Sequence, residues 1–195
     1  MTLPQVALDQ LYLDAHTATR FLPQPLDADV LQQIYDLAKM GPTSMNTQPA
    51  RFVFVTTPEA KARLLPTLSP GNVEKTQLAP VTVIVAMDTC FFEHLPQTFP
   101  NNPNARAVFE GKEALINETA FRNSSLTGAY FILAARALGL DCGPMSGFDA
   151  VKLNAEFFPD GRYRANFLIN LGVADRANFY PRNPRLTFAQ ACSVL

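Results

Sequence analysis

The chain has 195 residues, of which 48% are apolar and 17% charged, and its net charge is −1 at neutral pH. That length suits one compact domain spanning 1–195, or one half of an intertwined dimer, and the low charged fraction points to an apolar cofactor pocket or a buried subunit interface. Charges of both signs are scattered, which leaves no footprint for nucleic acid or an anionic membrane surface, and no run reaches the roughly 18 apolar residues of a membrane span.

In chain order, Thr2 caps a first helix with Pro4 near its start, and Val6, Ala7, Leu11 and Tyr12 form an apolar stripe that suits a terminal brace. Residues 15–21 lead to Pro23 and Pro25 and read as a turn or extended connector. Asp27 caps a helix whose Val30, Leu31, Ile34, Leu37 and Ala38 recur at three and four residues. Gly41 and Pro42 stop it, and Thr43, Ser44, Asn46, Thr47 and Gln48 crowd into the loop before Pro49 and a buried strand over 51–56. Taken alone, that stretch is an ordinary polar loop between a helix and a strand.

Thr57 and Pro58 start a helix carrying Leu64, Leu65 and Leu68, and Pro80 precedes the clearest strand, 81–86. Between them Asn72 and Lys75 share one face if a helical turn opens there; by themselves they describe a capped surface helix with a solvated lysine. Residues 91–112 break the pattern with Pro96, Pro100, Pro103, Phe91, Phe92, Phe99 and Phe109, which reads as a lid or insertion whose phenylalanines cover something. The longest helix follows over 113–138, on the order of 39 Å, with Ala120, Phe121, Tyr130, Leu133, Ala134 and Ala137 as its buried candidates and Gly139 at its end. It is long enough to carry a dimer interface. Gly143 and Gly147 then permit close backbone approach, and Asp149 caps the next helix. A strand over 166–172 and a proline-held tail bearing Arg182 and Arg185 complete the chain; a guanidinium fork suits a phosphate, although each arginine taken singly is equally a solubilising charge.

The alternation of strands and helices argues α/β or α+β, and neither a Gly-x-Gly-x-x-Gly turn nor a P-loop follows a strand. Cys90, Cys142 and Cys192 form no CxxC pattern, and with only His16 and His94 there is no zinc constellation, so no metal is expected and a reducing cytoplasm is. No basic and apolar leader opens the chain.

Three stretches together resemble the FMN-dependent nitroreductase family: Pro42-Thr43-Ser44-Met45-Asn46-Thr47-Gln48-Pro49, then Asn72-x-x-Lys75 ahead of Ala79-Pro80, then Pro144-Met145-Ser146-Gly147-Phe148. The resemblance covers nearly the whole chain. It implies an α+β sandwich with a mostly antiparallel central sheet flanked by helices, assembled as an intertwined homodimer with two FMN sites at the interface. It further implies that Pro42, Thr43, Ser44, Asn46 and Gln48 meet the isoalloxazine, that Asn72 and Lys75 serve its pyrimidine edge, and that Pro144 and Met145 lead to backbone N–H groups of Ser146 and Gly147 facing N5 and O4. A fixed ammonium stabilises the negative charge that reduction leaves at N1 and O2. The family grips the phosphate with Arg-Arg-Ser-x-Arg-x-Phe, and this chain departs from it: Ala15, His16 and Thr19 stand where arginines are common, and Arg20 is displaced by one place. His16, Thr17, Arg182 and Arg185 are then the phosphate candidates.

Asn123-Ser124-Ser125, the segment 143–149 and the insertion look like the malonic semialdehyde reductase branch, with Arg106 and Phe109 as substrate candidates. The implied reaction is ping-pong, with NADH or NADPH reducing FMN and a small acceptor, such as malonic semialdehyde, a nitroaromatic or a quinone, taking hydride or electrons. The cofactor carries the chemistry, and no Ser/His/Asp or Cys/His arrangement supports hydrolysis. The competing reading is a flavin-binding sensor or storage protein without turnover.

Overall fold

The computed structural model describes residues 2–195. The first helix, α1 (Gln5–Leu8), runs into a π turn (Asp9–Leu13). Its N-cap is Pro4 rather than Thr2, with no side-chain cap, and the expected stripe is covered only in part: Ala7 and Leu11 are half-buried, whereas Val6 is 71% and Tyr12 52% exposed. Polar ties hold it instead: Gln10 donates to the Arg136 carbonyl (2.7 Å), and Arg136 donates to that of Leu11 (2.9 Å).

Helix α2 (Ala28–Ala38) starts at Asp27 without a side-chain cap and buries Ile34 and Ala38. Strand β1 (Ala50–Val55) follows, then α3 (Pro58–Leu64), where Thr57 accepts from the Ala60 N–H and Pro58 takes the first turn, where its missing N–H leaves no bond unmade. Helix α4 (Pro70–Leu78) leads to β2 (Val81–Asp88). After the short α5 (Leu95–Thr98) come α6 (Glu113–Ala137), β3 (Asp141–Met145), α7 (Ala150–Phe157), β4 (Tyr163–Gly172) and α8 (Phe188–Ala191). The strands form one antiparallel sheet in the order β1-β2-β4-β3, an α+β architecture with helices on both faces.

Period-two alternation in β2 sorts the core. Val81, Val83 and Val85 pack with Ile169 and Leu171 against Ile34 of α2 and Phe131 of α6. Ile84 and Ala86 point the other way, to Leu64 of α3, Leu153 of α7 and Met145. Strand β3 was not anticipated. Gly143 and Pro144 have poor strand preference, yet Pro144 is tolerated because β3 is an edge strand whose one partner strand is β4.

The buried stripe of α6 also differs from expectation. Ala120 and Ala134 are buried, but Phe121 is 56% and Tyr130 40% exposed, while Thr119, Asn123, Ser124, Thr127 and Gly128 face inward. Small residues let the helix lie close to the sheet. A Cβ on Gly128 would stand 2.4 Å from the Phe167 ring. Apolar side chains are thereby left on the outer face.

In the insertion, Phe91, Phe92, Leu95, Ala105 and Phe109 bury one another against Ile116 and Ala120 of α6. Buried Asp88 anchors it, accepting from Arg51 Nη2 (2.7 Å) and the Cys90 N–H (2.8 Å); Arg162 joins Asp88 to Glu93 (Nη1 to Oε2, 2.9 Å). Arg162 Nε lies 3.3 Å from Asp88 Oδ1 but makes no hydrogen bond. Among the described residues, no helix is long and apolar enough to cross a membrane.

Candidate functional site

The site residues fall into two groups. At the β3 edge, helical spacing sets Asn72 and Lys75 one turn apart at the start of α4. Asn72 Nδ2 donates to the Gly147 carbonyl at 2.7 Å, and the Ser69 N–H donates to the same oxygen at 3.0 Å. A Cβ on residue 147 would stand 2.6 Å from Asn72 Nδ2 and displace it, so glycine lets the amide approach this closely. Lys75 is half-buried, and among the described residues no carboxylate pairs with it.

Beneath this corner runs a buried chain of polar groups. Thr82 Oγ1 donates to Asn170 Oδ1 (2.8 Å), Asn170 Nδ2 to Thr76 Oγ1 (3.2 Å), and Thr76 Oγ1 contacts Met145 Sδ (3.8 Å). Met145 itself is a core side chain, whereas Pro144 and Ser146 are exposed and Gly147 is half-exposed. Asp149 caps α7 through the N–H groups of Lys152 and Val151 (3.0 Å each); the Lys152 bond is the main force holding its carboxyl below the usual carboxylate range.

The connector reaches the same edge. Thr17 bridges Cys142, and the Ala18 N–H donates to the Cys142 carbonyl (3.0 Å), an approach that only glycine at 143 allows, because a Cβ would meet the Ala18 oxygen at 2.4 Å. His16, Thr17, Arg182 and Arg185 line one cavity of about 360 Å³. Arg182 Nη2 donates to the carbonyls of Leu13 (2.6 Å) and Ala15 (2.7 Å), Arg185 Nη1 to that of Asn183 (2.8 Å), and His16 stacks on Phe179 at 5.0 Å. The four phosphate candidates are therefore neighbours.

The second group, the loop after α2, leads into β1 at the opposite edge of the sheet. Ala50 pairs with Met87 at the outer end of β1, while β1 and β3 are opposite edges with β2 and β4 between them, roughly 14 Å apart at ordinary strand spacing. Pro42, Ser44 and Asn46 are exposed. Met45, Asn46 and Gln48 have φ of 50°, 50° and 41°, the left-handed region. The Ser44 N–H donates to Asn123 Oδ1 (2.8 Å), Asn46 Nδ2 to the Thr98 carbonyl (2.7 Å), the Gln48 N–H to Thr43 Oγ1 (3.1 Å), and Gln48 Nε2 to Asn46 Oδ1 (3.0 Å). A cleft of about 420 Å³ opens beside the loop, lined by Thr43, Thr47, Gln48, Arg51, Phe52 and His94 among others; the buried Thr47 hydroxyl has no partner. One chain thus does not bring this loop to the Asn72–Gly147 corner.

Arg106 pairs with Glu110 (2.8 Å) on the surface, with its guanidinium 5.9 Å from the Phe92 ring, and Phe109 is 3% exposed within the insertion cluster; neither borders the cleft. Sequence reasoning missed Thr98 and the hold of Asn123 on the loop. A signal existed for the second: Thr119, Asn123 and Thr127 recur every four residues on a face turned to the core. Among the described residues, no cluster of three or more His, Cys, Asp or Glu could hold a metal. The three cysteines are free; burial pushes the Cys142 thiol up to about 12, so it stays protonated.

Residues 15–173 match the pattern of the Nitroreductase family. The chain is 59% identical over 187 residues to a protein of Burkholderia lata, covering 96% of this chain and 95% of that one. It is 57% identical over 194 residues to one of Rhodopseudomonas palustris, covering 100% and 98%. Both relatives carry the name "Putative NADH dehydrogenase/NAD(P)H nitroreductase". A "putative nitroreductase" of Exiguobacterium sibiricum, solved in complex with FMN, superposes with a TM-score of 0.85 at 20% identity over 100% of this chain and 98% of that one, which shows a common fold.

Proposed function

The chain belongs to the nitroreductase family, and from that premise we propose that it is an FMN-dependent NAD(P)H oxidoreductase acting on a small acceptor. The observation that carries this reading is the bond between Asn72 and Gly147, with Asn72 Nδ2 2.7 Å from the Gly147 carbonyl and Lys75 one helical turn along α4. Committing Nδ2 to that carbonyl leaves Asn72 Oδ1 to accept from a pyrimidine N–H. A half-buried lysine that no carboxylate pairs with among the described residues suits negative charge at N1 and O2 of a reduced ring. His16, Thr17, Arg182 and Arg185 border a cavity with room and donors for the phosphate. When bound, FMN supplies the two-electron chemistry, taking hydride from NAD(P)H and, after nicotinamide leaves, passing it to the acceptor.

The names of the relatives support a nicotinamide donor. We rank malonic semialdehyde, reduced to 3-hydroxypropionate, first among acceptors and nitroaromatics or quinones next, on the strength of Asn123-Ser124-Ser125, the 143–149 segment and the 91–112 insertion. Arg106, whose side chain is exposed, remains the substrate candidate of that ranking, while Phe109 is buried within the insertion cluster.

The reading includes a homodimer in which the loop 42–48 of one copy completes the Asn72–Gly147 corner of the other. Its support is the sheet order, which sets the two groups on opposite edges, and Phe121, Leu126 and Tyr130, left 56%, 46% and 40% exposed on α6. Free cysteines agree with a reducing, cytoplasmic setting.

Anaerobic stopped-flow mixing of the purified protein with NADH and with NADPH, followed by a panel of acceptors, tests this reading. Bleaching of a bound yellow flavin and its reoxidation by an aldehyde, nitroaromatic or quinone are expected. A colourless protein would contradict the cofactor, and a yellow protein that neither nicotinamide bleaches would favour a sensor or storage role.

A further inference from the structure

The loop of Thr43 to Gln48 keeps a conformation that its own sequence disfavours. Met45, Asn46 and Gln48, three residues with side chains, all sit at positive φ within four positions, and such a run persists only where the surroundings hold it. One hold comes from the insertion, where the Thr98 carbonyl takes Asn46 Nδ2 (2.7 Å). The other comes from α6. Asn123 is 3% exposed, a burial that an amide tolerates only when both its ends are bonded. Its Nδ2 donates to the Thr119 carbonyl (2.9 Å), which orients Oδ1 onto the Ser44 N–H at 2.8 Å.

We propose that Asn123 is a positioning residue for the reaction: its side-chain carbonyl holds the Ser44 amide and thereby fixes the exposed hydroxyl of Ser44 and the amide of Asn46 as the loop presents them to the flavin. This rests on the flavin reading of the loop. The bond acts over 79 residues of sequence, and it joins the loop to the longest helix of the fold. An unheld loop relaxes toward negative φ, which turns Ser44 and Asn46 away from the arrangement seen here.

Two variants test it. Asn123→Ala removes the acceptor and leaves a gap, whereas Asn123→Leu removes the acceptor and fills the space with a larger side chain of the same branching, so a cavity defect in the first is recognised from the second. Hydrogen exchange should speed up about tenfold for the amides of residues 43–48 in both variants, while β2 amides stay protected. In the FMN-loaded variants, bleaching by NAD(P)H should slow about tenfold, with far-UV circular dichroism unchanged and the visible flavin band shifted, a pattern that loss of fold alone does not produce. Unchanged loop exchange in both variants would overturn the hold itself. Faster exchange with parental bleaching and an unshifted band would overturn its role in the reaction. A parent protein that carries no flavin would overturn the flavin reading and this role with it, and the exchange result would still report whether Asn123 holds the loop.

Discussion

At the β3 edge, Asn72, Lys75 and Gly147 are set by regular structure: one helical turn, the end of a strand, and a glycine that lets a side-chain amide touch backbone. At the β1 edge, residues 43–48 hold left-handed backbone through side-chain ties to α6 and to the insertion. The first arrangement follows from regular structure, since helix α4 carries Asn72 and Lys75 and strand β3 leads to Gly147. The second is conditional, since left-handed backbone at Met45, Asn46 and Gln48 is held by side-chain ties rather than by helix or strand geometry. With β2 and β4 between them, the two groups do not meet within one copy.

Substitutions can break this comparison on either side. The largest effect from a single charge is expected at the corner cavity: Arg185→Ala should weaken FMN by about 1.5 to 3 kcal/mol, roughly tenfold or more, the range for a hydrogen bond to a charged group. Fluorescence titration with FMN and riboflavin checks it. Parental FMN affinity, with riboflavin bound equally well, would remove the phosphate from this cavity.

Lys75→Met should come next, lowering the FMN reduction potential by about 30 mV, the equivalent of 1.4 kcal/mol for a two-electron couple, while retaining the cofactor. Potentiometric titration of the loaded variant reads this directly, and an unchanged potential would take Lys75 away from the ring. The smallest effect is expected at Arg106, an exposed residue already paired with Glu110. Arg106→Ala should leave stability within about 0.5 kcal/mol. Comparing kcat/KM for a carboxylate-bearing aldehyde and for a neutral quinone then decides its part in catalysis: a loss confined to the aldehyde keeps Arg106 at the substrate, and equal values leave it a surface ion pair.

The same contrast explains what could be read from the chain. Asn72 and Lys75 were legible because helical spacing is a local rule, and the two motif glycines because each marks a close backbone approach, realised at Ala18 and at Asn72. Strand β3 escaped because its residues lack strand preference and its stability comes from pairing with β4 and from buried Cys142 and Met145. The inner face of α6 was misjudged for a related reason: small polar residues take the positions against the sheet, and Phe121 and Tyr130 remain outside in a single copy. The phenylalanines of the insertion did need covering, but what they cover is one another and the first half of α6. The hold on the Ser44 amide joins residues 79 apart, beyond any local pattern.

The central claim, that a flavin site forms between two copies, is tested most directly by complementation. One chain carries Lys75→Met with Arg185→Ala and so lacks a working corner; the other carries Ser44→Ala with Asn46→Ala and so lacks a working loop. Each alone should show little NAD(P)H-dependent turnover. Co-expressed chains that pair at random put half of the dimers in the mixed form, each with one intact site, so about one quarter of the parental activity should return. Turnover no greater than that of the two separate variants would mean that corner and loop serve the same site within one chain, or serve no common site, and would contradict the account.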